Sequence, residues 1–418
     1  MMNIKNKLTL MSFLQFFVWG AWLITVGNYW FATKQWSGAE FGAIFSTLGL
    51  SSIVMPALTG IIADRWVSAE KLYGVLHILG GLALCYIPQV DNPSTFYWVI
   101  FAAMLCYMPT ISLSNSVAYY VLKSNAYDVV KVFPPIRVWG TIGFIAAMWL
   151  VNLSGNKASA NMFYISAFSA FILGVYAFTL PQCPPQRLID ENASLSKKLG
   201  LDAFKLFGTY KMALFFIFSM FLGGALQLTN MYGDVFLSEF GKMPEYANSI
   251  VVTKSTLILS ISQISETLFI LAIPFVLKRF GIKQVMLISM FAWVLRFGWL
   301  AYGNPADGLW MIIMSCIVYG MAFDFFNISG SLFIETSTDS SIRSSAQGLF
   351  MMMSNGFGAF FGGIVSGQVI DHFFTHNGAR DWHNIWLSFA AYSLVIAVAF
   401  AIMFKHEHKP NEVEKVSH

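Results

Sequence analysis

Residues Leu309–Phe333 read LWMIIMSCIVYGMAFDFFNISGSLF, an apolar run long enough to cross a bilayer with a carboxylate, Asp324, deep inside it. A second such run, Leu257–Leu277 (LILSISQISETLFILAIPFVL), carries Glu266. An ionised carboxylate in hydrocarbon costs roughly 2.5 kcal/mol or more, so such residues face a bundle interior or a wet cavity and usually act there. Both acids have further polar groups on the same helix face. That pattern points to a protein that moves a solute across a membrane, with a proton as the coupled species, rather than to acids that only tie two helices together.

Composition agrees. The 418-residue chain is 57% hydrophobic and 11% charged, with a mean hydropathy of +0.63, which excludes an ordinary soluble enzyme. Spans of ~20–28 residues at 1.5 Å rise give about twelve transmembrane helices in an all-α polytopic membrane protein. They are expected at 8–32, 40–64, 72–90, 95–121, 135–153, 162–181, 211–237, 249–277, 283–302, 308–335, 344–372 and 382–404. The first run follows Lys5 and Lys7 as a signal peptide would, but it stays apolar to Phe31 with no small-x-small site and reads as a retained helix.

Basic residues gather in the even-numbered connections and at both ends, among them Arg65, Lys71, Lys123, Lys131, Arg187, Lys197, Lys198, Lys278, Arg279 and Lys283. The opposite loops hold little beyond Lys34, Lys157, Lys242 and Arg380. Both termini are therefore expected in the cytoplasm. The net charge of +4 follows from this asymmetry and calls for no nucleic-acid partner. Cys85, Cys106, Cys183 and Cys316 show no metal or disulfide spacing, the histidines form no ligand set, and there is no phosphate-binding loop. No cofactor, metal or ATP is expected. His406 and His408 sit in a charged tail, 405–418, that reads as solvated and flexible.

The polar stretch Pro181–Lys211 divides the chain into two bundles of about six helices, 1–181 and 211–404, joined by a cytoplasmic linker, 182–210. Helices 5 and 11 both open on an arginine with a phenylalanine seven residues on, Arg137/Phe144 and Arg343/Phe350. Helix 11 carries Gly358-xxx-Gly362 and Gly363-xxx-Gly367, which permit close helix approach. After helix 2, Gly60-Ile-Ile-Ala-Asp64-Arg65 resembles the loop 2–3 signature of the major facilitator superfamily. Asp64 and Arg65 are read as a charged latch that stabilises one conformation and releases in the other, with a plain topological anchor as the simpler reading.

Polar residues three or four apart share a helix face. Helix 5 offers Arg137 and Thr141 after Phe133-Pro134-Pro135, with Arg137 expected near the helix start. Helix 7 offers Gln227 and Asn230, helix 8 Gln263 and Glu266, and helix 10 Asp324 and Asn327 flanked by Tyr319, Phe323 and Phe326. Glu266 and Asp324 lie about sixteen residues from the outer helix ends, ~24 Å along the axis. Amides donate and accept, carboxylates accept from hydroxyls, and aromatic faces pack on flat rings. One arginine against two acids favours a neutral, polar, ring-bearing solute over a nucleotide or sugar phosphate. Helix–helix adhesion is the plainer reading of any single amide. Arg296, alone on helix 9, reads as a scaffold or snorkelling charge. Gln15, Tyr119 and Tyr120 are weaker candidates for lining a cavity.

FPPIRVWGTIGF (133–144), LQLTNMYG (226–233), SISQISETLFIL (260–271), KRFGIK (278–283) and VYGMAFDFFNISGS (318–331) resemble the bacterial nucleoside:proton symporter family of the major facilitator superfamily, along essentially the whole chain. The resemblance implies a twelve-helix fold importing purine and pyrimidine nucleosides with protons across the inner membrane by alternating access. It implies a monomer whose partners are nucleoside, protons and lipid. It implies that the family's binding and coupling positions fall on Arg137, Thr141, Phe144, Gln227, Asn230, Gln263, Glu266, Phe323 and Asp324, with Glu266 and Asp324 coupling to protons. In this superfamily helices 5 and 8 meet across the halves, which would bring Arg137 toward Glu266. SQISET favours the broad-specificity members, while a xanthosine- or sugar-preferring symporter remains the alternative in this class. A polytopic receptor is the alternative in another. An intramembrane enzyme would need a nucleophile with an adjacent base, and none is seen.

Topology is testable by single-cysteine labelling. Lys242→Cys should react with a membrane-impermeant reagent outside intact cells and Lys198→Cys should not; the reverse pattern would overturn the orientation.

Overall fold

The computed structural model describes residues 3–185, 201–339 and 342–407. Among the described residues, nine helices are long and apolar enough to cross a membrane. One of them, Ser255–Tyr302, is two passes: Gly281 breaks it at φ +77°, a left-handed conformation that glycine adopts without steric cost. Ile4–Gly20, prolonged through Val26–Asn28 and a π turn at Tyr29–Thr33, and Asn161–Ala177 add two more. Twelve helical passes result among the described residues. They are α1 (4–33), α2 (Gly38–Arg65), α3 (Ala69–Tyr86), α4 (Pro93–Ser124), α5 (Val129–Leu153), α6 (Asn161–Ala177), α7 (Tyr210–Glu239), α8 (255–280), α9 (282–302), α10 (Leu309–Ser337), α11 (343–373) and α12 (Trp382–Met403). The fold is all-α and polytopic, apart from a two-residue hairpin pairing Thr375 with Arg380.

Local chemistry sets several ends. The Asn92 side chain accepts from Thr95 N at 2.8 Å, and Pro93 occupies the first turn of α4, where its missing N–H leaves nothing unpaired. Helix α5 begins at Val129, six residues earlier than expected. Pro134 and Pro135 therefore lie inside it, both exposed. Arg137 consequently sits past the first turn of α5 instead of in it.

The chain divides into two compact units, Met1–Leu199 and Gly200–His418. In the first, α1 crosses α5 at glycines: a Cβ on Gly143 would fall 2.1 Å from Phe13 O, and one on Gly20 2.5 Å from Phe144 O. In the second, α7 crosses α11 the same way, a Cβ on Gly223 falling 1.9 Å from Ser354 O and one on Gly358 2.5 Å from Met220 O. The first and fifth helices of each unit thus meet with backbones in contact, a packing that only small residues allow. Glu239 ties the end of α7 to the hairpin, pairing with Arg380 and accepting from Trp382 Nε1 at 2.7 Å.

A buried polar node holds the first unit together. The Gln15 side chain donates to Thr110 Oγ1 at 2.9 Å and accepts from Tyr73 OH at 2.6 Å, with His77 Nε2 2.9 Å from the same oxygen. In the second unit the chain beyond α12 is docked rather than loose as expected. Phe404 is fully buried and Lys211 Nζ lies 2.7 Å from His406 Nδ1. Residues 408–418, including His408, and 186–200 of the expected linker lie outside the described residues.

Gly143→Val and Gly223→Val should each force the crossing helices apart, costing about 1–3 kcal/mol or more and lowering the melting temperature in detergent. Gly348→Ala, with nothing within 4 Å, should not. Equal melting temperatures for all three variants would contradict the close crossings.

Candidate functional site

In the second unit, α7, α8 and α10 carry the polar residues. The placement of α10 is fixed from behind by hydroxyls and a guanidinium that take its main-chain carbonyls. Ser265 of α8 donates to Ile317 O, Ser289 of α9 donates to Ala322 O at 2.6 Å, and Arg296 Nη1 of α9 donates to Ser315 O at 2.7 Å. Gly320 lets the helices close up: a Cβ there would fall 2.7 Å from Ser265 O and 2.8 Å from Glu266 N. Glu266 is therefore held beside the α10 backbone, one turn from Asp324.

Asp324 is buried, with 5% of its surface exposed, and Glu266 is half-buried. Tyr319 lies within Coulombic reach of both acids and of Arg296. Phe323 stacks on Tyr319 with ring centroids 6.0 Å apart and planes 7° from parallel. On α7, Gln227 is buried and Asn230 half-buried. Among the described residues, Gln227 Oε1 and Gln263 Oε1 are buried and have no hydrogen-bond partner. Buried amide oxygens are nearly always satisfied, so two such acceptors on α7 and α8 stand out from the packing around them. A narrow cleft between α7, α9, α10 and α11 is lined by Phe323, Asn327, Trp293, Ser354 and Asn355.

In the first unit, α5 presents Arg137, Thr141 and Phe144, all half-buried. The Arg137 guanidinium carbon lies 4.0 Å from the centroid of the Phe16 ring, a cation–π contact that sets its direction. Phe144 meets Trp19 edge-on at 6.4 Å, and Trp19 Nε1 is buried with no hydrogen-bond partner among the described residues. Gln15, a weaker candidate for the cavity, is spent on the Tyr73–His77–Thr110 node. Arg65 ends α2 with Nη2 buried and without a hydrogen-bond partner among the described residues; the side chain of Asp64 lies outside them. Just beyond, the buried Glu70 Oε2 accepts from Cys183 N at 2.8 Å and fastens the chain leaving α6 to the start of α3. That bond leaves a carboxylate against the Cys183 thiol, which burial first and this charge second push up to about 12, so it stays protonated.

Several residues at the site carried little signal. Ser354 and Asn355 lie in the π turn Met352–Gly358 of α11, where the wider turn rotates side chains off the helical register. Asn355 was findable only as a lone amide in an apolar run. Asp234, fully buried on α7, lies four residues past Asn230 and seven past Gln227, so the same face rule extends to it. Arg296 is 3% exposed and turned inward, so it does not snorkel. Among the described residues, no three His, Cys, Asp or Glu side chains form a metal-binding group.

The described residues form an all-α polytopic bundle with acids enclosed in its apolar spans. Residues 2–409 match the family model described as nucleoside H+ symporter, and the chain belongs to that family. It is 51% identical to the nucleoside permease NupG of Escherichia coli over 420 residues, covering 100% of both chains. It is 50% identical to the xanthosine permease of the same organism over 418 residues, covering 100% of this chain and 99% of that one. The crystal structure of the nucleoside transporter NupG superposes with a TM-score of 0.91, covering 97% of this chain and 100% of that chain. A D-xylose–proton symporter at 14% identity and TM-score 0.71 shares the fold alone. The chain is a multi-pass membrane protein of the major facilitator fold, a transporter and not an enzyme.

Proposed function

We propose that this protein imports nucleosides together with protons across a bacterial cytoplasmic membrane by alternating access. Both termini and the 182–210 segment face the cytoplasm, and 1–181 and 211–404 act as the two moving bundles. The observation that carries the reading is the pair of carboxylates on α8 and α10, set among buried amides with unfilled acceptors and a stacked aromatic pair. Family membership supplies the direction of the chemistry.

Gln227, Asn230, Gln263 and Thr141 hydrogen-bond the nucleoside, the acids accept from ribose hydroxyls, and Phe144 or Phe323 packs on the base. Amides suit both purine and pyrimidine edges because donor and acceptor lie side by side. A nucleotide is refused because its phosphate meets Glu266 and Asp324. Solutes without the ribose hydroxyls leave buried partners unpaired, at ~1–3 kcal/mol each. Glu266 and Asp324 form the proton-linked centre, with Arg137 as counter-charge. Moving an empty, charged site through a low-dielectric barrier is unfavourable, so proton and substrate together permit the switch. Asp64 and Arg65 act as a latch on the cytoplasmic side. The protein works as a monomer, since one chain holds every group named.

The second reading is a xanthosine-preferring symporter, which the near-equal identity to the two permeases favours as the alternative. Uptake by proteoliposomes of labelled uridine, adenosine and xanthosine separates the two readings: uridine and adenosine should enter, and entry of xanthosine alone would support the second. A protonophore should abolish concentrative uptake, and indifference to it would reject symport.

Glu266→Gln and Asp324→Asn should each eliminate gradient-driven accumulation; full accumulation in both would end the coupling assignment. Gln227→Ala and Asn230→Ala should weaken uridine binding, measured calorimetrically, by roughly tenfold, the equivalent of one lost hydrogen bond of about 1.4 kcal/mol. Free uracil should bind far more weakly than uridine. Normal binding by both alanine variants would relocate the site.

A further inference from the structure

Arg296 is a buried cation that the transport scheme above leaves unused. It sits fourteen residues into α9, where a guanidinium facing lipid would snorkel, yet it is almost fully enclosed by protein. Its Nη1 donates to Ser315 O of α10 at 2.7 Å and lies 3.4 Å from Ser262 Oγ of α8. Its guanidinium carbon lies 4.5 Å from the centroid of the Tyr319 ring. Among the described residues its Nε has no hydrogen-bond partner. Among the described residues no carboxylate forms an ion pair with Arg296, and its charge meets an aromatic face, an arrangement strongest where water is excluded.

Tyr319 is clamped on two further sides. Trp293, one turn before Arg296 on α9, meets it edge-on at 5.9 Å and 88°, and Phe323 stacks on it almost parallel. The sequence of contacts runs from a fixed carbonyl, through a planar cation, to one ring and then to the ring that borders the cleft. A guanidinium can bond the carbonyl and lie against the ring at once because it is flat and carries its donors in a rigid fork. An ammonium is a compact point charge on a flexible stem and presents no such plane to the ring.

We propose that Arg296 is a positioning residue for the nucleoside base: it fixes the plane of Tyr319, and through it that of Phe323, so the surface on which the base packs is set from α9. The proposal rests on the reading that Phe323 contacts the base. It assigns Arg296 to affinity and base discrimination and not to the proton.

The test is a double-mutant cycle on the purified full-length protein, with uridine and adenosine binding measured calorimetrically at fixed pH. Arg296→Lys keeps the charge and loses the plane, and it should raise both dissociation constants about tenfold. The two nucleosides should be affected unequally, since their bases cover different areas of ring. The pH dependence of binding should keep its midpoint. In a Phe323→Leu background the same change should have little further effect, because Arg296 acts only through that ring. Should Arg296→Lys fail to fold, Tyr319→Leu breaks the same column while leaving the bond to Ser315, and it carries the same expectations. Losses that multiply independently with Phe323→Leu, or a shifted pH midpoint, would overturn the proposal. Unmodified protein that binds neither nucleoside would overturn the substrate assignment and this proposal with it.

Discussion

The constraint on which the structure depends is that ionisable and amide groups placed in apolar spans must be enclosed by protein. In hydrocarbon each would cost several kcal/mol, so the helices that carry them have to face inward and stay there. In the second unit this explains why α10 is held by three separate contacts to its carbonyls, from Ser265, Ser289 and Arg296. A helix carrying Asp324 cannot be free to rotate, because rotation would turn the carboxylate toward lipid. The same contacts fix the register of Tyr319 and Phe323 relative to Glu266.

Close backbone crossings supply the stiffness that such a site needs. Helices α1 and α5 in one unit, and α7 and α11 in the other, approach so nearly that a single methyl group would overlap a carbonyl. Packed interiors transmit motion as rigid bodies and do not deform continuously. Alternating access asks for that behaviour: bundles that move as units around groups whose internal arrangement does not change. The Gln15 node in the first unit and the Glu239–Arg380–Trp382 cluster in the second have the same character, polar side chains satisfied inside one unit and locking its helices together.

Much of this was legible in the sequence. Span length and hydropathy gave the helices, because hydrocarbon thickness imposes a length that few other constraints imitate. The acids stood out against apolar neighbours, and spacing of three or four put Gln227 with Asn230 and Gln263 with Glu266. What stayed hidden depended on direction and local winding. Arg296 has no polar neighbour on α9, so periodicity could not say which way it points. Asn355 owes its place to a π turn, which a 3.6-residue period does not describe. Gln15 is as polar as Gln227, yet its donors and acceptors are consumed by partners 58 to 95 residues away, which no local pattern reveals. The start of α5 was misplaced because a Pro-Pro pair reads as a boundary, whereas the helix runs through it from Val129.

The central claim is that nucleoside and proton cross together. It is tested most directly by adding uridine to proteoliposomes in weakly buffered medium, with no imposed gradient, while an external pH indicator is recorded. The account predicts alkalinisation of the medium on uridine addition, absent with uridine monophosphate. Uridine entry, followed by label in the same vesicles, with no change in external pH would contradict it.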